Sequence, residues 1–189
     1  MAVQTVATLE SVKGELIAEL YRTKGKAEIV KGRVVTMPPT GDDPGRASGS
    51  VYLSLRQFEH ETHQGRAVPD NVGFLVKLPT RDSFSPDVAY HYHPPSGMGY
   101  VRGAPAFAVE VRSEFDYGRT AEREIAEKRD EYFAAGSLIV WDVDLLSEEV
   151  IKAYSANDPD HPRIFRRGEI ADAEPVLSGW RMPVDELFN

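Results

Sequence analysis

Leu9, Val12, Leu16 and Leu20 recur at helical spacing, so residues 8–22 are expected to open the chain as a helix, although Gly14 weakens the pattern. Two short β-prone runs, AEIV and RVVTM, flank Lys31-Gly32 and predict a hairpin. PPTGDDPG then reads as a loop, and Val51, Leu55 and Phe58 predict a second helix from Ala47 to His63, ended near Gly65. Strands are expected at GFLVKLP and PDVAYHY, with the Gly- and Pro-rich HPPSGMGYVRG as an exposed connection to a third, AFAVEVR. Strong helix formers fill residues 119–135 and stop at Gly136. They lead into LIVW, a run apolar on both faces that should be a central strand. VIKAY, RIFRRGEI and PVLSGWRMPVDELF supply peripheral strands and a tail packed on the core.

With 189 residues, 41% of them hydrophobic, the chain can bury one sizeable core, and residues 1–189 are expected to form a single domain. There is no cysteine, so disulfides and thiolate metal sites are excluded and any metal must use oxygen or imidazole ligands. MAVQTVATLESVKGEL lacks a basic start followed by an apolar block, and no window approaches a membrane span. A cytoplasmic protein with no membrane partner is expected. A net charge of −8 argues against a general nucleic-acid coat protein, but carboxylates gathered around a divalent cation are themselves negative.

Strand alternation exposes the candidate chemistry. In AFAVEVR, Ala106, Ala108, Glu110 and Arg112 share one face and Phe107, Val109 and Val111 the other; in the preceding strand Asp87 lies with Ala89 and His91. Each strand therefore carries one carboxylate on a face of small residues. In the helix over 119–135, Ala121, Ile125, Lys128 and Tyr132 form one stripe, so the periodicity sends Lys128 inward, where Asp87 and Glu110 are the available partners for its charge. Each residue alone has a plainer reading: Asp87 as a turn residue after Ser85-Pro86, Glu110 as an edge-strand charge, Lys128 as a snorkelling side chain. Only the combination points to a site.

Other patterns carry less. His60 and His63 lack the i, i+4 spacing of a zinc protease helix, and His91 and His93 sit at a strand end before Pro94-Pro95. GMGYVRG departs from the dinucleotide fingerprint, and there is no G-x-S-x-G.

SPDVAY, FAVEVRS and AEKRDEYFAAGSLIVWDVD, in that order and spacing, resemble the Uma-two family of endonucleases within the PD-(D/E)XK nuclease superfamily. AEIVKGRVVTMPP is similar to the family's Glu-containing hairpin, and LSGWRMPVDELF to its usual ending. The resemblance implies an α/β (α+β) fold, a restriction-endonuclease-like mixed β-sheet flanked by helices. It also implies Mg²⁺ or Mn²⁺, hydrolysis of nucleic-acid phosphodiesters with DNA as the expected substrate, and a homodimer. Carried over, Asp87 and Glu110 would be catalytic metal ligands, the Val111 carbonyl a backbone ligand and Glu28 an additional acid. Arg112 occupies the slot of the motif's lysine and is expected to grip the substrate backbone. Lys128 is expected to take the lysine's catalytic role, because it can exchange a proton where arginine cannot. The alternative is a catalytically silent domain of this type that only binds nucleic acid or a protein partner.

Overall fold

The structure, a computed structural model, describes residues 13–189. Residues 13–22 are helical (α1); the start of the expected opening helix, residues 8–12, lies outside the described residues. β1 (Ala27–Val30) and β2 (Arg33–Thr36) form the expected antiparallel hairpin, turning at Lys31 and Gly32, both at positive φ. α2 (Asp42–Thr62) begins five residues before the expected Ala47. Pro44 lies in the first turn, where no helical N–H is required, and Asp42 and Asp43 favour the positive end of the helix dipole, so the apparent loop residues start a helix.

β3 (Arg66–Val68) follows, and GFLVKLP contributes only β4 (Phe74–Leu75), which pairs with β5 (Ser83–Phe84) and not with the main sheet. β6 (Val88–His91) matches PDVAYHY. The expected connection HPPSGMGYVRG contains a short strand, β7 (Val101–Arg102), parallel to β4. β8 (Phe107–Val111), α3 (Arg119–Ala135) and β9 (Ile139–Val143) form a β–α–β unit with β8 and β9 parallel, and Gly136 at φ 108° caps the helix. β10 (Ile151–Ser155) and β11 (Asp158–Phe165) extend the sheet, with Pro159 and Pro162 on the outermost strand, beside a register shift in its pairing, where proline is tolerated. β12 (Ile170–Ala171) pairs with β13 (Met182–Pro183), and a 3₁₀ turn over Val184–Phe188 ends the chain.

The main sheet has the order β11-β10-β9-β8-β6-β3, so LIVW is central as expected, while the edge strand β3 was not anticipated because three residues carry no period. It is a mixed sheet with a helix on each face. One face carries the large side chains: Tyr90, Phe107, Val109 and Trp141 pack with Ala47, Val51 and Leu55 of α2 and with Trp180 and Leu187 of the tail. The other presents Ala89, Ala108 and Val140 to Phe74, Phe84 and Tyr132, the last two stacked at 4.0 Å. Small residues there leave room beside the sheet, and the charged groups fill it. Among the described residues no helix is long and apolar enough to cross a membrane.

Candidate active site

Asp87 stands just before β6, where two backbone contacts fix it. Its N–H donates to the Val109 carbonyl at 3.1 Å, and its Oδ2 accepts the Val111 N–H at 2.7 Å. The N–H and carbonyl of a strand residue lie on the same edge, so the Val111 carbonyl also faces the Asp87 side. Glu110, one residue earlier on β8, turns onto the small-residue face. Its Oε1 accepts the Tyr132 hydroxyl at 2.6 Å and the Lys128 ammonium at 2.8 Å, and its Oε2 has no hydrogen-bond partner among the described residues.

Lys128 does point inward from α3. Its Nζ also lies 3.2 Å from Oε1 of Glu28, the buried acid of β1. Glu28 is fully engaged: Oε1 accepts the Ser85 N–H at 2.8 Å, and Oε2 accepts from Arg81, whose Nε donates to Glu131 at 2.6 Å. The structure thus brings together Asp87, Glu110, Val111, Lys128 and Glu28.

Sequence reasoning missed the cation on Asp87. Lys26 sits 2.5 Å from Asp87 Oδ1 and 2.7 Å from Asp70 Oδ1. A signal existed: Lys26 and Glu28 are two apart at the start of a strand and so share a face. Arg81, Glu131 and Asp70 gave none, since each lies in or beside a turn or on a solvated helix face. Five carboxylates (Glu28, Asp70, Asp87, Glu110, Glu131) meet three cations (Lys26, Arg81, Lys128), a formal excess of two negative charges.

Environment drives the two acids beside Lys128 in opposite directions. Burial alone would raise Glu28, but Lys128, Arg81 and the Ser85 N–H hold its carboxyl below the ordinary range. Glu110 lies above that range: burial is the main cause and the charge of Asp87 adds to it, although Lys128 pulls the other way. Such separation of neighbouring titratable groups is common at catalytic sites. Burial works against the charge of Lys128, but Glu110 and Glu28 outweigh it and hold its pKa above the ordinary value. Glu110 and Glu28 together thus hold Lys128 as an ammonium, a charge aimed into the same space as the two carboxylates.

Arg112 lies on the face of Glu110 but is clamped away from open space. Its Nε and Nη2 donate to Asp142 at 2.8 and 2.7 Å, Nη2 reaches Glu122 at 3.0 Å, and Nη1 also donates to Glu122. Asp142, the register partner of Glu110 on β9, is buried and was not anticipated.

His91 ends β6 buried against Phe74, and its Nδ1 accepts the His93 N–H at 3.2 Å. Burial pushes its pKa down to about 4, helped by His93 and Arg66. Because the folded value lies below the unfolded value of about 6.5, neutral His91 is compatible with full stability above that pH, and stability is lost as pH falls toward 4. The loss is on the order of 2–3 kcal/mol. Melts of wild type and His91→Phe between pH 7 and 4 should show a shallower acid limb in the variant; parallel limbs would assign the acid loss to other groups.

A family model described as Uma2, putative restriction endonuclease, matches residues 15–185. The crystal structure of a putative nuclease from Anabaena variabilis superposes with a TM-score of 0.70 over 92% of this chain and 97% of that one, at 14% sequence identity. The likeness in fold therefore persists where little sequence is shared. No curated protein matches the chain. Since the family model covers nearly all of the described residues, from α1 to the 3₁₀ turn that carries Asp185, the chain belongs to the Uma2 family of putative restriction endonucleases.

Proposed function

We propose that this protein is a divalent-cation-dependent endonuclease that hydrolyses nucleic-acid phosphodiesters, with DNA as substrate, acting as a homodimer as the family resemblance implies. The observation that carries this is the convergence of Asp87, Glu110 and Lys128 at the ends of β6 and β8.

The donor set suits a hard cation. Among the described residues no three ligating side chains share one coordination sphere, but two carboxylates and the Val111 carbonyl edge match Mg²⁺ or Mn²⁺, which keep waters and use few protein oxygens. Asp87 and Glu110 would hold the ion, Glu110 through its unpartnered Oε2. When bound, the ion supplies Lewis-acid polarisation of the phosphate and a water of lowered pKa.

The remaining roles belong to the chain. Lys128, protonated and held by Glu110 and Glu28, offsets charge that builds on the phosphate oxygens. Glu28, expected as a further ligand, has both oxygens engaged and serves here to aim Lys128. Arg112, expected to grip the substrate, ties β8 to β9 and α3.

The second reading, a silent binding domain, is favoured by the lysines that already stand on both carboxylates. Calorimetric titration with Mn²⁺ separates the two. Wild type should bind, whereas Glu110→Gln should not bind yet should melt at least as high, because the raised pKa of Glu110 means that folding opposes its charge. A folded wild type that takes up no Mn²⁺ would favour the silent domain.

A further inference from the structure

Asp87 has two oxygens, and the fold commits one of them. Oδ2 is held by the Val111 N–H, so Oδ1 is the oxygen left for a cation, and it is the oxygen on which Lys26 sits at 2.5 Å. The lysine is delivered by the start of the β1–β2 hairpin. Its carbonyl accepts the Met37 N–H at 2.9 Å, closing the β1–β2 hairpin, and its neighbour Glu28 is buried two residues on. The Lys26 side chain is only 15% exposed, whereas its second partner, Asp70, is 42% exposed and reaches the same ammonium from the rim.

We propose that Lys26 is the built-in counter-ion of this site: a divalent cation gains Asp87 by exchange with the Lys26 ammonium, which Asp70 then retains at the rim. The inference rests on the reading of Asp87 and Glu110 as metal ligands. Two features support it. Lys26 reaches Asp87 and Asp70 at the same time, at 2.5 and 2.7 Å, so the ammonium can give up the first carboxylate while it keeps the second. Without that ammonium, the neighbouring carboxylates of Asp87 and Glu110 would lose one of the two lysines that stand on them, and a divalent ion relieves the repulsion that results. Asp70 gives the displaced ammonium a charged partner, which keeps the exchange from stranding a half-buried cation.

The exchange makes two variants move metal affinity in opposite directions. In Lys26→Met the competitor is gone, and Mn²⁺ should bind at least ~10-fold more tightly than to wild type. In Asp70→Asn the lysine keeps Asp87 as its one ion-pair partner among the described residues and loses the carboxylate that would retain it, so Mn²⁺ should bind several-fold more weakly. Asp70 is exposed, so this second variant tests the inference even if Lys26→Met folds poorly. Calorimetric titration of MnCl₂ into the three full-length proteins at one pH and ionic strength reads both effects. Equal or weaker binding by folded Lys26→Met, or unchanged or tighter binding by Asp70→Asn, overturns the exchange and leaves the metal site standing. Absence of Mn²⁺ binding by wild type overturns both.

Discussion

Lys128→Met is expected to lower phosphodiester hydrolysis about 10²–10³-fold at saturating substrate, the usual effect of removing one preorganised charge from a developing anion. It should also melt lower than wild type. Among the described residues Lys128 is the one cation that touches both Glu110 and Glu28, and its loss leaves Glu110 near Glu28 and Asp87 with less compensation. Lys128→Arg keeps the charge but replaces a compact ammonium by a planar fork, so it should recover stability more than rate. Single-turnover cleavage and thermal melts of the three proteins give both numbers. Should Lys128→Met cleave at the wild-type rate while remaining folded, Lys128 is a structural ion pair and the catalytic charge lies elsewhere.

Arg112→Ala is expected to act first on stability. Its guanidinium makes four hydrogen bonds to two carboxylates, and the substitution leaves Asp142 buried with its main partner gone. Breaking a buried pair from one side costs about 3–5 kcal/mol, far more than removal of an exposed arginine. Glu122 is half exposed and recovers hydration, so most of the loss comes from Asp142. At roughly 2–4 °C per kcal/mol for a chain of this size, the melt should fall by about 10 °C. Asp142→Asn in the same chain should return part of that loss by removing the stranded charge. A variant that melts within about 2 °C of wild type yet loses DNA affinity with a smaller salt slope would restore the role expected from sequence, a grip on the nucleic-acid backbone.

Readability of the sequence followed the strength of its periods. The β8–α3–β9 unit was plain because AFAVEVR alternates cleanly, residues 119–135 are nearly all strong helix formers with a glycine stop, and LIVW is apolar on both faces. The structure puts Ala108 and Glu110 on one face and Phe107 and Val109 on the other, as alternation requires. Short elements were hidden: β3, β4 and β7 have two or three residues each, and their pairing depends on tertiary contacts. The start of α2 was misread because Pro and Asp serve loops and first helical turns equally well.

Within the site, the inward path of Lys128 and the faces of Asp87 and Glu110 could be read, since each depends on one local period. The partners could not. That Arg112 is claimed by Asp142 and Glu122, and Glu28 by Arg81 and Ser85, depends on residues 10 to 57 positions apart meeting across β-strands and helices. Lys26 was recoverable in principle from its spacing to Glu28, but a single lysine before a hairpin is usually solvated, and only its two short contacts mark it out.

Cleavage of supercoiled plasmid DNA by wild type and by Glu110→Gln, each with Mn²⁺ and with excess chelator, tests the proposed metal-dependent nuclease site most directly. Nicked or linear product from wild type with Mn²⁺, and none from wild type with chelator or from folded Glu110→Gln, is the predicted result. Cleavage that survives the chelator, or that Glu110→Gln carries out at the wild-type rate, would contradict it.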